Sequence, residues 1–286
     1  GKLMGAIAYG WSFSKEPLCG VTPIETMRAS GQRPGRPAGD PFLTEGPAAE
    51  SRLQPVSLPL AVSGVPDAVM RDLGDELREH GLVPVRAGGA GRVGDKERPN
   101  LEPGAAVGVA LIRGDMNAVA MGTLTHTEGH TVLAFGHPMM GLGEVNLPLV
   151  AGRVHTIVAS LSSSMKLASP LDTIGAVVQD LSSCIVGELG RPASVIPIEV
   201  AVSARAVKPR VFSAQVALHR RLLPVLASTV VLSALAEAEP DVTDMVVTMS
   251  THLAVRGAGS VEIVDQLASR DGLTSKLLAQ TRGIKS

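Results

Sequence analysis

Aromatic residues are nearly missing from this sequence. Four Phe, one Tyr and one Trp make up 2% of the 286 residues, although the hydrophobic fraction is 45%. The core must therefore be built from Val, Leu, Ile, Ala and Met. A chain of this length can bury a substantial core, either as one large domain or as two smaller ones.

Neither an excess of charge nor a long apolar run is present. Twenty-six basic and 27 acidic residues give a formal net charge of -1, so electrostatics gives no reason to expect a nucleic acid or an anionic membrane as partner. The longest apolar run, residues 222–235, contains Pro224 and several small or polar residues. It falls short of the roughly 20 apolar residues that cross a bilayer. The sequence thus predicts no nucleic-acid partner and no membrane span.

Cysteine is also scarce. Cys19 and Cys184 are far apart, and neither has the CxxC spacing of a metal site, so zinc is not indicated. Two interpretations stay open: two small buried apolar residues, which the pattern favours, or a disulfide. The sequence starts at Gly1 without a signal peptide, and we interpret it as a fragment of a longer protein.

Short β-type runs separated by turn residues dominate the chain, so we predict a mainly β fold with a few helices. From residue 101 onward the spacing of these runs is typical of a sandwich or barrel. The predicted segments are a strand and helix start (1–28), a flexible linker (29–56), a small strand–helix module (57–85), a second linker (86–104), a β-rich core (105–214), and a helix followed by C-terminal strands (215–286).

Local signals support some of these elements. Thr22, Pro23 and Glu25 form a helix N-terminus signature, with Thr22 as the expected capping residue. Within the 57–85 module, SLPLAVSG (57–64) is compatible with a strand. The residues after it have helical spacing at Val69, Met70, Leu73 and Leu77. Glu128-Gly129 predicts a hairpin turn.

Three of the seven histidines fall close together, at His126, His130 and His137. A metal site is one interpretation, but HTEGH reads as a hairpin turn rather than as a helix with its Glu beside the first His. Surface turn histidines are the alternative. His137 differs, because it stands between Gly136 and Pro138 at a strand end. Such a fixed setting suits a general base, and a buried, hydrogen-bonded turn histidine is the other interpretation.

Two further motifs contain residue types that occur in functional sites. SLSSSMK (160–166) contains the elements of a Ser/Lys dyad, but no glycine frame that would expose a nucleophile accompanies it. GHPMMGLGEV (136–145) is rich in glycine but lacks the Lys-Ser/Thr pair of a phosphate-binding loop. We expect no nucleotide, no other cofactor and no metal.

The segment GTLTHTEGHTVLAFGHP (122–138) resembles the SpoIVB-type serine peptidases, bacterial sporulation-signalling proteases and their relatives. In that family a GTLTF-like strand leads through a turn to an AxGH sequence that carries the catalytic histidine. The resemblance implies that role for His137. Residues 158–190, with SVIPIEV after them, are similar to the segment that continues this domain in relatives from non-sporulating bacteria.

The opening GKLMGAIAYGWSFSKEPLCGVTPIETM (1–27) is similar to the stretch that follows the family's GMSGSP-like nucleophile motif. The resemblance implies a nucleophilic serine upstream of Gly1 and a trypsin-like double-barrel fold. It also implies a secreted or envelope location and a protein or peptide substrate, which could be the protein itself. In this chain the serine would precede the histidine, which is the reverse of the order in the sporulation protease itself. This order suggests a rearranged branch of the family. The acid partner is expected upstream of the serine, and no motif assigns that role to Asp115, Asp172 or Asp180.

Two functions follow as hypotheses. The first is a fragment of a SpoIVB-like serine endopeptidase, with His137 as general base, that is inactive as an isolated chain. The second is a non-catalytic, β-rich binding or scaffold domain that retains the peptidase fold, because a fold does not by itself supply chemistry.

Overall fold

The computed structural model describes residues 2–10, 18–32, 54–78, 81–87, 101–158, 165–204, 207–238, 245–255, 257 and 259–269. The described strands are β1 (Gly5–Gly10), β2 (Cys19–Pro23), β3 (Gln54–Pro55), β4 (Leu58–Ser63), β5 (Leu82–Arg86), β6 (Ala106–Gly114), β7 (Asn117–Glu128), β8 (Thr131–Ala134), β9 (Gly143–Val158), β10 (Met165–Asp180), β11 (Ile185–Leu189), β12 (Val195–Ala204), β13 (Val207–Ala217), β14 (Met245–Val255) and β15 (Gly259–Ser269). The described helices are α1 (Ile24–Gly31), α2 (Asp67–Arg78) and α3 (Leu223–Ala238). The mainly β prediction is confirmed.

Six strands close into a ring. β6 pairs with β7 on one side and with β9 on the other, and the ring continues through β10, β11 and β8 back to β7. Closure pairs the strand edges within the ring, which an open sheet would leave exposed. The main apolar core includes buried side chains from these strands, among them Val107, Leu124, Leu147 and Ile185. The trypsin-like double barrel, which is more specific than a mainly β fold, stays a prediction.

The predicted turn between β7 and β8 is confirmed. Glu128 pairs with Thr131, and Gly129 has a φ of 60°. This left-handed conformation costs glycine little because it has no Cβ.

The predicted strand and helix of residues 57–85 are present as β4 and α2, and β5 lies parallel to β4. Val69, Leu73 and Leu77 are buried, as their helical spacing predicted. β4 also pairs with β7, so this segment extends the large sheet beyond the ring. Most of the predicted linkers at 29–56 and 86–104 lies outside the described residues, but their bounds were wrong where regular structure is described: α1 extends to Gly31, β3 pairs with β1 inside the first linker, and β5 ends at Arg86.

β12 and β13 extend the sheet from the other side of the ring, through β6. The helical pattern predicted from residue 215 was wrong at its start, because β13 runs to Ala217 and α3 begins at Leu223. Pairing of Ala217 with Val195 keeps these residues in the ladder. Pro224 then occupies the first turn of α3, where its missing N–H costs nothing.

β1 lies between β2 and β3 in a separate sheet, and α1 follows β2. The predicted capping role of Thr22 was wrong: Pro23 is the N-cap residue and makes no side-chain cap bond. The Thr22 hydroxyl instead donates to the carbonyl oxygen of Gly136 at 2.5 Å. A tertiary hydrogen bond thus replaces the local one. α1 packs against the ring through Met27, which joins Leu133 and Cys184 in a small apolar cluster.

β14 and β15 form a two-stranded sheet with antiparallel pairing throughout. Large apolar side chains on it are exposed, including Val246, Leu253 and Ile263. In the part of the chain that the structure describes, no helix has the length and apolar character needed to cross a membrane.

Candidate active site

His137 follows a sharp turn at the end of β8. Phe135 and Gly136 have φ values of 76° and 81°, both in the left-handed region. This conformation costs a residue with a Cβ roughly 1–2 kcal/mol, so Phe135 must be held by its neighbours. Its N–H donates to the carbonyl oxygen of Thr123 at 2.9 Å, and its ring fills the space beside Gly122. The turn is therefore anchored on β7, and it fixes the direction of the next side chain.

His137 is 6% exposed. Its Nδ1 lies 2.8 Å from the carbonyl oxygen of Pro138. Because a carbonyl oxygen can only accept, Nδ1 carries the proton and Nε2 holds the lone pair of the neutral ring. Burial lowers the pKa of His137, opposed by the Pro138 bond and by the charge of Asp180. The ring is accordingly neutral near pH 7, in the tautomer that can accept a proton at Nε2.

The N-terminal hairpin packs directly on the residue before His137. A Cβ added at Gly136 would lie 2.5 Å from the Cβ of Ala6 and 3.4 Å from that of Ala8. Only glycine lets β1 approach this closely. The bond from Thr22 to the Gly136 carbonyl ties β2 to the same residue. The N-terminal hairpin therefore meets the turn that precedes His137, although more than 110 residues separate them in the chain.

A buried carboxylate fixes the turn that follows His137. Asp180, at the end of β10, is 1% exposed. Its Oδ1 accepts the N–H of Met139 at 2.7 Å, and its Oδ2 accepts those of Met140 and Leu142 at 2.9 and 3.1 Å. Burial raises the pKa of Asp180, and these backbone bonds oppose that rise by favouring the ionised form.

The other two acidic candidates lie in different settings. Asp115 is exposed and its carboxylate accepts the Ser213 N–H at 2.7 Å. Asp172 is exposed on β10 and its charge acts on Arg113. Of the three, the structure brings Asp180 to His137. Sequence reasoning could not select it, since 43 positions separate the two residues and no motif links them.

His130 lies in the β7–β8 turn, at the end of β8 opposite the His137 turn, whereas His126 lies on β7 and pairs with Leu133. His130 is exposed, and the Nε2 of His126 lies 3.8 Å from Glu128 Oε2. No group of three His, Cys, Asp or Glu suited to a metal ion occurs among the described residues. The three histidines of the motif are thus not brought together as ligands.

The glycine-rich stretch after His137 is not an open anion cradle. Three of its backbone N–H groups, those of Met139, Met140 and Leu142, are already directed at Asp180. The Ser/Lys candidate at residues 160–166 lies outside the described residues, apart from the β10 backbone at Met165 and Lys166.

The two cysteines are free and differ in environment. Cys184 is buried, as one of the two interpretations expected, and burial raises the pKa of its thiol to about 11. Cys19 is exposed on β2, which the same interpretation did not expect. A disulfide between them is not formed.

Comparisons of the chain with protein-family models, with curated proteins and with solved structures found no significant match.

Proposed function

We propose that this chain is the histidine-bearing part of a serine endopeptidase of the SpoIVB type, and that His137 is the general base for a serine that precedes Gly1. One observation carries the proposal. β1 packs on Gly136, the residue before His137 in the chain, so the first described strand and the His137 turn lie together in the fold, which is what a serine upstream of that strand would need.

The state of the imidazole supports the same role. With Nδ1–H bound to the Pro138 carbonyl, Nε2 can take the proton of a hydroxyl as that hydroxyl attacks a peptide carbonyl. The ring then returns the proton to the leaving amine, so the proton count balances. Because burial lowers the pKa of His137, the ring is unprotonated at Nε2 at neutral pH and can act as a base. The substrate is a protein or peptide, possibly the protein itself, at the cell envelope or outside the cell.

Peptide hydrolysis and self-cleavage by two versions of the protein test this function. We expect the 286 residues alone to be inactive, because no acyl-enzyme forms without an attacking hydroxyl. A version extended upstream through a Gly-x-Ser-Gly-Ser-Pro-like turn is expected to cleave. His137→Gln should reduce its kcat about 10²–10⁴-fold.

His130→Gln is the matched control, since His130 is an exposed histidine of the same motif. It should leave the activity of the extended version unchanged. Cleavage that persists in the His137→Gln variant would exclude His137 as the base.

The burial of His137 favours a second candidate, a β-rich binding or scaffold domain in which this histidine only completes a turn. In that case the residues before Gly1 contain no serine turn, and the extended version binds peptides or proteins without cleaving them.

A further inference from the structure

One peptide group lies between His137 and Asp180. The carbonyl oxygen of Pro138 accepts the Nδ1–H of His137 at 2.8 Å. The N–H on the other side of the same peptide bond, that of Met139, donates to Asp180 Oδ1 at 2.7 Å. Because a peptide group is planar and rigid, the ring and the carboxylate are joined through one fixed unit.

Such a connection transmits polarisation from the carboxylate to the ring. A carboxylate at the N–H of a peptide group draws the hydrogen toward itself and increases the electron density on the carbonyl oxygen. Hydrogen bonds in a chain polarise one another, by an estimated 10–30% per bond in condensed phases. The Pro138 oxygen therefore becomes a stronger acceptor for Nδ1–H, above all when the ring is an imidazolium.

We propose that Asp180 is a positioning residue that acts on His137 through the Pro138–Met139 peptide group. It holds the imidazole in the Nδ1–H tautomer and stabilises the imidazolium that forms when Nε2 accepts a proton. The proton moves from the serine hydroxyl to Nε2, Nδ1 keeps its own, and Asp180 stays ionised. The two hydrogen bonds and the peptide group between them form a bridge from His137 to Asp180. The catalytic role of this bridge rests on the proposed function, whereas its existence does not.

Among the described residues, the charge of Asp180 also acts on Cys184 and His219. Burial keeps the Cys184 thiol neutral, with a pKa of about 11. Burial and the nearby Arg221 lower the pKa of His219, against the charge of Asp180. Of the three groups, His137 is the one whose hydrogen bond reaches Asp180 through a shared peptide group.

The test is a pH titration of the full chain by NMR, observing the ring nitrogens of ¹⁵N-labelled His137. In Asp180→Asn the charge is lost, so the His137 midpoint should fall by roughly half to one pH unit. The Nε2–H tautomer should also become populated. Asp115→Asn is the matched control, because its carboxylate also accepts a backbone N–H but at Ser213. It should change neither quantity.

A folded Asp180→Asn variant with the wild-type midpoint and tautomer would overturn the proposal. If that variant does not fold, the same pH titration of the wild-type protein still tests the proposal. The Met139 amide shifts should titrate with the His137 midpoint, and flat Met139 shifts across that range would overturn the bridge. These measurements use no substrate. An inactive extended chain would therefore reject the peptidase function while leaving the bridge to be judged by its own result.

Discussion

The two ends of β8 carry histidine-containing turns with opposite properties. At one end, the Glu128–Thr131 turn is open: a Cβ added at Gly129 would meet no atom within 4 Å, and the Glu128 side chain is 64% exposed. At the other end, the turn around Gly136 is enclosed by β1 and Thr22 and is followed by loop amides bound to Asp180. Only four residues of strand separate the two turns.

The comparison teaches that the two ends of one short strand place their acidic groups in very different surroundings. Glu128 pairs with Arg28 at 2.8 Å on the surface, where such a pair contributes about 0–1 kcal/mol. Asp180 is enclosed and held by three backbone N–H groups, so its charge acts at short range in a medium of low dielectric constant. His137 thus lies in an enclosed turn, with its Nδ1 2.8 Å from the Pro138 carbonyl oxygen.

The largest difference between the two turns should appear when a methyl group is added to their glycines. Gly136→Ala places a Cβ against Ala6 in a left-handed conformation, so we expect a loss of about 3 kcal/mol in the free energy of unfolding. Gly129→Ala has the same backbone requirement but open space, and should cost about 1 kcal/mol. Urea unfolding measures both. Equal losses would show that β1 does not pack on Gly136.

A smaller effect is expected from Thr22. Thr22→Val keeps the shape of the side chain but leaves the Gly136 carbonyl without its donor, which should cost about 1 kcal/mol. Thr127→Val, which removes a longer 3.3 Å bond to the Leu101 carbonyl near the open turn, is the control and should cost less. The reverse ranking in urea unfolding would contradict the enclosed description of the Gly136 turn.

The smallest effect concerns pH. Because burial lowers the pKa of His137 below 6.5, the unfolded chain binds the proton more readily than the folded one. The contribution of neutral His137 to stability is thus complete above pH 6.5 and is lost as the pH falls through the folded pKa. The stability difference between wild type and His137→Gln should shrink between pH 7.5 and 5.5. A difference that grows on acidification would mean that the folded protein prefers the charged ring.

The sequence predicted what depends on local pattern. The spacing of Val69, Leu73 and Leu77 predicted α2, and the setting of His137 at a strand end singled it out. The sequence could not predict the position of Asp180, because its contact with the His137 turn depends on β10 ending beside a turn formed about 40 residues earlier. Thr22 shows the same limit, since its local capping signal was overridden by a bond to a residue 114 positions away.

The meeting of the first strand with the His137 turn is tested most directly by one nuclear Overhauser measurement. In a sample with ¹³C-labelled alanine methyl groups, the Ala6 methyl should give a strong cross-peak to the Gly136 Hα, because the two residues are in contact. The assigned Ala6 methyl giving no cross-peak to Gly136 would contradict the account, since β1 would then not pack on the residue before His137.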